Sequence, residues 1–421
     1  MSVQDTFTEG GFYGLGIAPA LLQSIAKLQF SVPTPIQSKT IPAGIEGKDL
    51  IGIAQTGSGK TLAFGIPMIQ RILQEGAQDS KGLVLVPTRE LALQIAEVFS
   101  DIGASLGFRA AVLIGGAPMG PQISALRRNP HAIIATPGRL NDHLEQRTLS
   151  LGKVKILVLD EADHMLDMGF LPQIKRILAV LPKEKQTMLF SATLPQDIMQ
   201  IALSTMKLPL RIEVAPPGTT VDSISQEVFI VRKESKAALL EKILSEHRGS
   251  TLVFTRMKYG AKRVAHHLRS LGHTAAEIHS NRSLNQRKEA LLGFKTGKYR
   301  VLVATDIAAR GIDVSGIELV INFDLPMTSS GYVHRIGRTG RAGLEGKAIS
   351  FALPEEQRDI RDIERLIKKT LRISKLPSDL PVPHIPPPNT ERSLRTPPSR
   401  HFGARGSSRG GRHQGRGRYF R

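Results

Sequence analysis

Short, almost wholly apolar runs alternate along this chain with longer stretches in which apolar residues return at helical spacing. In the first half the runs are "DLIGIA", "GLVLVP", "AAVLIGG", "HAIIATP", "KILVLDEAD" and "TMLFSAT"; in the second they are "EVFIV", "STLVFT", "TAAEIH", "YRVLVATD", "LVINFD" and "KAISFAL". Each is rich in Val, Ile and Leu and ends at a polar or Gly-rich turn. Buried parallel strands have this signature, because helices cover both faces of their sheet and remove the usual in-out alternation. The pattern predicts an α/β protein with two successive parallel-sheet domains.

Between the halves, "RIEVAPPGTTVDSIS" carries Pro216-Pro217-Gly218 and small polar residues, which predicts a flexible joint. The expected layout is a first domain over 1–210, a linker over 211–225, a second domain over 226–375 and a tail over 376–421. The tail is Pro-rich and then Arg/Gly-rich, with too few apolar side chains to offset its ordering entropy, so it is expected to be disordered and basic. A length of 421 residues fits this division, since one core rarely organises so long a chain.

Charge adds the first functional hint. A net charge of +20 attracts polyanions, nucleic acid first and anionic membrane surfaces second. No apolar run approaches the ~20 residues of a spanning helix. The N-terminus lacks the form of a secretory signal, so a cytoplasmic protein is expected. The absence of cysteine excludes disulfides and thiolate metal sites, and the histidines show no metal spacing.

The chemistry begins at "AQTGSGKT", Ala54 to Thr61, directly after an apolar run. Gly-x4-Gly-Lys-Ser/Thr marks a phosphate loop, here with Ala54 in the first place. Gly57 and Gly59 let backbone amides approach phosphate oxygens, the following helix presents its positive end, Lys60 reaches the terminal phosphates and Thr61 can ligate magnesium. Such a loop needs a carboxylate at a neighbouring strand tip. Asp160 and Glu161 follow the run "ILVL"; Asp160 suits the metal and Glu161 the attacking water. Taken alone, the two acids could merely complement a helix start.

Asp160-Glu161-Ala162-Asp163 spells the name-giving motif of the DEAD-box RNA helicases, and the chain resembles that family from about Phe12 to Leu353. "PTPIQ" (33–37) resembles the Q motif, with Phe12 as its upstream aromatic; "AQTGSGKT" resembles motif I, "PTREL" (87–91) Ia, Gly115-Gly116 the GG element and "TPGR" (136–139) Ib. "SAT" (191–193) resembles motif III, "ATDIAARGID" (304–313) motif V and "HRIGRTGR" (334–341) motif VI. The core looks most similar to the bacterial RhlE-like branch.

The resemblance implies two RecA-like domains that close over ATP and Mg2+, with RNA across the cleft. It assigns ATP contacts to Phe12, Gln37, Ala54, Gln55, Thr56, Gly57, Ser58, Gly59, Lys60, Thr61 and Asp313, with Gln37 reading adenine. It gives chemistry to Glu161, Asp160, Lys60, Arg338 and Arg341, the two arginines reaching from the second domain to the γ-phosphate. Magnesium falls to Thr61 and Asp160, the latter directly or through water. Coupling of closure to RNA falls to Asp163, Ser191, Thr193 and His334. Sequence-independent RNA contacts fall to Pro87, Thr88, Arg89, Gly115, Gly116, Thr136, Pro137, Gly138, Arg139, Arg287 and Thr305.

Several local readings compete with these. Gln37 could simply begin a helix after Pro35, and Thr193-Leu194-Pro195-Gln196 reads as a capping box. Three departures from the family pattern stand out: Gln29-Phe30 before the Q motif, Ser280 after His279, and Leu284 where a glutamine is expected before Arg287. The last two bear on RNA contacts of the second domain. The expected activity is RNA-stimulated ATP hydrolysis coupled to local duplex unwinding. An ATP-gated RNA clamp and a DNA helicase of the same superfamily remain alternatives. "RGG" at 409–411 and "RGRYF" at 416–420 suit electrostatic capture of RNA, or docking of ribosome-assembly or RNA-decay proteins.

Overall fold

The computed structural model describes residues 11–54, 57–76, 81–214, 224–306, 316–340, 346–378 and 380. Gln55, Thr56, Asp313, Arg341, the middle of the expected joint and the Pro- and Arg-rich tail lie outside them.

Two seven-stranded sheets form, every pairing parallel. The first runs in the order β3 (Ala110–Leu113), β4 (Ala132–Ala135), β2 (Lys81–Leu85), β5 (Val154–Leu159), β6 (Gln186–Ser191), β1 (Leu50–Ile53), β7 (Leu210–Glu213). The second runs β10 (Ala275–Ile278), β11 (Val301–Thr305), β9 (Thr251–Thr255), β12 (Leu319–Asn322), β13 (Gly346–Ala352), β8 (Ile224–Ile230), β14 (Arg372–Ser374). All twelve apolar runs seen in the sequence become strands. The inner strands β1, β4, β6, β9 and β11 are buried along their whole length, as helices on both faces require.

Two strands were not legible, β7 and β14. Both are edge strands paired on one side only, and both are largely exposed, so their sequences carry polar residues instead of an apolar run. β7 also corrects the joint placed at 211–225. Residues 210–213 extend the first sheet beside β1 and residue 224 already pairs in the second, so both ends of that segment belong to sheets.

Because all strands in a sheet run the same way, their C-terminal tips share one edge, where open α/β sheets bind ligands. The order of the first sheet sorts those tips into two groups. β5, β6 and β1 are neighbours and carry Asp160, Ser191 and the phosphate loop; β3, β4 and β2 are neighbours and carry Gly115-Gly116, Thr136 and Pro87 to Arg89.

Candidate nucleotide and RNA site

The phosphate loop turns through two left-handed glycines, Gly57 and Gly59, both at φ 87°. Helix Lys60–Gln74 starts at once after Gly59, so its free amides face the loop. Lys60 is buried and its Nζ donates to the Ala54 carbonyl at 3.0 Å, folding the lysine back over the loop. Thr34 Oγ1 donates to the Ser58 carbonyl at 2.7 Å, and Gln37 Nε2 to the Gly59 carbonyl at 3.0 Å. Gly59 has no room for a Cβ against that Gln37 amide. Gln37 also accepts from the Thr34 amide at 2.8 Å in a capping box of helix Pro35–Ile45. Gln37 therefore starts a helix and also braces the phosphate loop, which leaves one N–H and one lone pair for a further partner. Phe12 is buried in the apolar cluster of the first lobe.

Two strands away, Asp160 directly follows β5 and is 2% exposed. Burial pushes its carboxyl up to about 6, against the pull of Lys60. Glu161 follows in a left-handed conformation, φ 50° and ψ 50°, which turns it off the strand axis. Burial alone would raise Glu161, but the hydrogen bond and charge of His164, with Lys60 and Arg338, bring it down to about 2. His164 Nδ1 lies 3.2 Å from Glu161 Oε2. One carboxyl is thus short of positive charge, while its neighbour is fixed as an anion.

Magnesium fits this donor set. Among the described residues no group of three or more His, Asp or Glu could hold a metal by itself. A buried carboxyl raised by desolvation and facing Lys60 suits a cation that takes one or two protein oxygens and completes its shell with phosphates and water. Asp160 and Thr61 would hold it.

Asp163 is the hub of the coupling residues. Its Oδ2 accepts from the Thr193 amide and hydroxyl, both at 2.9 Å, and its amide donates to Ser191 Oγ at 3.1 Å. The capping box expected at Thr193 does not form: helix Gln196–Thr205 has Pro195 as its N-cap and no side-chain cap, because the Thr193 hydroxyl is taken by Asp163. Ser191 ties back to the phosphate loop, its carbonyl accepting from the Ala54 amide at 3.0 Å.

The second lobe reaches this hub. His334 Nε2, on helix Ser329–Ile336, lies 3.5 Å from Asp163 Oδ2. Arg338, one turn on, is 2% exposed and lines one small pocket with Lys60, Glu161, Asp163, His164 and His334. Burial would raise Asp163, but His334 and Lys60 hold it well below the usual carboxylate range. A cation from each lobe therefore faces the same two carboxylates.

At the other three tips, Thr88 caps helix Arg89–Gly103 through its hydroxyl, and Thr136 and Pro137 begin helix Pro137–Glu145. Gly116, at φ 74°, leaves room for the Arg89 guanidinium, which a Cβ would strike. Arg139 donates to the Ala117 carbonyl at 2.9 Å. Helix starts and small residues thus line one edge, a surface suited to phosphates and not to reading bases. Thr305 ends β11 in the second lobe.

Arg287 occupies a different place from an open RNA contact. It is 5% exposed and its Nη2 donates to Glu90 Oε2 of the first lobe at 2.7 Å, while Leu284 packs on the apolar cluster of that lobe. The departure from glutamine to leucine therefore sits in a seam between lobes. Removing one member of a buried ion pair is strongly destabilising, about 3–5 kcal/mol, because the other charge stays dry. Arg287→Ala should lower RNA-stimulated ATP hydrolysis, and adding Glu90→Gln should recover part of it. A double variant as impaired as the single one would return Arg287 to the RNA.

Arg335 escaped the sequence analysis. It is 1% exposed, forks onto Asp306 at 2.5 and 2.8 Å, donates to Asn322 Oδ1 and the Asp324 carbonyl, and stacks on Phe254 at 5.0 Å. It ties the end of β11 to the helix that carries His334. The signal available was an arginine inside motif VI, between His334 and Arg338.

Two parallel-sheet lobes, with a phosphate loop on one and an arginine from the other in the same pocket, define a two-lobed nucleotide-driven motor. Residues 34–201 match the DEAD/DEAH box helicase family and residues 235–343 the helicase conserved C-terminal domain. The chain is 44% identical over 362 residues to the ATP-dependent rRNA helicase Rrp3 of Candida albicans, covering 86% of this chain and 68% of that one. It is 42% identical over 368 residues to the ATP-dependent RNA helicase DbpA of Bacillus subtilis, covering 87% and 77%. It superimposes on the solved structure of S. cerevisiae Dbp5 bound to RNA and ADP BeF3 with a TM-score of 0.78, at 31% identity over 88% of this chain and 96% of that one. The chain belongs to the DEAD-box family of ATP-dependent RNA helicases, built on two RecA-like domains.

Proposed function

We propose that this protein couples RNA-stimulated ATP hydrolysis to local, sequence-independent opening of short RNA duplexes. The observation that carries this reading is the shared pocket: Lys60 and Glu161 from the first lobe, His334 and Arg338 from the second. ATP binds the phosphate loop, with Gln37 against the adenine and Lys60 on the terminal phosphates. Asp160 and Thr61 would hold magnesium, which would supply positive charge against the phosphates. Glu161, held as an anion, orients the attacking water, and Arg338 meets the charge that develops on the γ-phosphoryl group.

RNA lies along the tips of β3, β4 and β2 and is met by the second lobe near Thr305. ATP and RNA both favour the closed arrangement, so each strengthens binding of the other. Closure strains one strand away from its partner, and loss of the γ-phosphate removes the link between lobes and resets the cleft. Strand displacement measured beside ATP hydrolysis, with and without RNA, tests this. RNA-stimulated hydrolysis without displacement would identify an RNA clamp instead, and equal stimulation by DNA would deny the RNA preference.

A further inference from the structure

The strands β3, β4 and β2 also share an opposite edge, where they begin. Arg109 precedes β3; Arg127 and Arg128 end helix Met119–Arg127 just before β4; Lys81 opens β2. Lys81 Nζ donates to Asn129 Oδ1 at 2.7 Å and to the Pro130 carbonyl at 2.6 Å, fixing a turn in which Asn129 is left-handed at φ 50°. The Arg109 amide donates to His131 Nδ1 at 2.9 Å, joining the start of β3 to the start of β4. The turn that presents the arginines is therefore pinned from two sides.

Arg109, Arg127 and Arg128 are exposed. Among the described residues none of the three is ion-paired with a carboxylate. An open cleft lies beside them, lined by Ser100, Gly107, Phe108 and Pro130 with Arg109 and Arg128. Surface cations are ordinarily interspersed with acids, which limits self-repulsion. Here they gather: Lys81 is held below its usual range by burial and then by Lys153 and Arg109, and His131 by burial and then by Arg109 and Lys81. That crowding carries a standing electrostatic cost, which a bound polyanion would relieve.

We propose that this edge of the first lobe is a second RNA-binding surface, which grips the phosphate backbone of a duplex flanking the strand held in the cleft. The inference rests on the RNA reading above. Guanidinium forks match phosphate oxygens two at a time, and the arginines gather at the starts of two neighbouring strands, β3 and β4, with Lys81 at the start of the next. The edge is separated from the tips by the length of the strands, roughly 15 Å, so a short strand in the cleft stops before reaching it. A helix continuing from that strand can fold back along the lobe. The surface would hold the enzyme on a structured RNA while the cleft opens and closes, without selecting sequence.

The test uses the full chain with Arg109→Ser, Arg127→Ser and Arg128→Ser together and Lys81 retained, so that the turn stays pinned. Its ligands are an RNA hairpin with a single-stranded overhang and the overhang alone. Hairpin affinity should fall about tenfold or more, and the slope of log affinity against log salt should shrink by roughly 2 to 3, one unit for each lost phosphate contact. Affinity for the overhang, and ATP hydrolysis at saturating overhang, should not change. Replacing the same three arginines by lysine should restore most of the salt slope.

An unchanged hairpin affinity and slope would overturn the proposal, as would an equal loss for hairpin and overhang. Loss of binding to vesicles containing anionic lipid, with hairpin binding intact, would overturn it in favour of a membrane surface. An unsubstituted chain that binds neither RNA would remove the RNA reading itself, a failure distinguishable from that of the arginine surface alone.

Discussion

Replacing Arg338 by alanine should lower ATP turnover by about 10³- to 10⁵-fold at saturating ATP and RNA, the range found for arginines that stabilise phosphoryl-transfer transition states. The size follows from where the side chain sits. Arg338 is 2% exposed and lines a pocket whose walls include the phosphate-loop lysine and the two carboxylates Glu161 and Asp163. A guanidinium placed there in advance meets charge that appears only as the γ-phosphoryl group leaves, in a site where water screens little. Because that charge is absent in the ground state, nucleotide affinity should change far less than turnover. Arg338→Lys keeps a charge but not the fork, so only a small part of the rate should return. Nucleotide binding by fluorescence and steady-state hydrolysis separate the two effects. Turnover within tenfold of the unsubstituted chain would remove Arg338 from the chemistry.

The second large effect belongs to Glu161→Gln, with an expected fall in hydrolysis of about 10²- to 10⁴-fold, the usual contribution of a positioned base. Geometry makes this substitution informative. Glutamine is nearly isosteric, so the left-handed backbone at this residue and the contact toward His164 can persist while the negative charge does not. The variant should bind ATP and RNA together and hold them in the closed form, because the step that resets the cleft is blocked. Release of labelled RNA should slow in the presence of ATP. A variant that hydrolyses ATP at the ordinary rate would show that water is positioned by another group.

The variants differ in what they leave behind. Arg338→Ala takes the second lobe's guanidinium from the pocket and leaves only His334 there, whereas Glu161→Gln leaves both groups of the second lobe in place, with His334 3.5 Å from Asp163. Accumulation of a closed RNA complex is therefore expected only for Glu161→Gln. Arg287→Ala acts at a third point, the seam with Glu90, and should be rescued in part by the second substitution there. The three variants can thus be told apart by readout as well as by magnitude.

The motifs were legible because each is a contiguous stretch whose chemistry follows from backbone conformation: glycines where the phosphate loop needs positive φ, acids directly after a buried strand, helix starts where phosphates bind. Inner strands were legible for the same kind of reason, since burial on both faces leaves an apolar run that can be seen without the fold. β7 and β14 were not, because an edge strand is wetted on one side and may carry polar residues at no cost. Alternation of strand and helix, the two-lobe division and the resemblance carried by Asp160 to Asp163 were determined by the sequence by itself.

Only the tertiary structure decided which partners met. Thr193 had two uses for one hydroxyl, and the position of Asp163 chose between them. Arg287 has the charge for RNA, and the fold sets it against a glutamate 197 residues away. Arg335 was passed over in the sequence, and the fold makes it a fork onto Asp306 within its own lobe. The physical reason is common to these cases: a charge or hydroxyl states what it can bind, but its partner depends on distances set by chain closure and sheet order, which no local stretch contains.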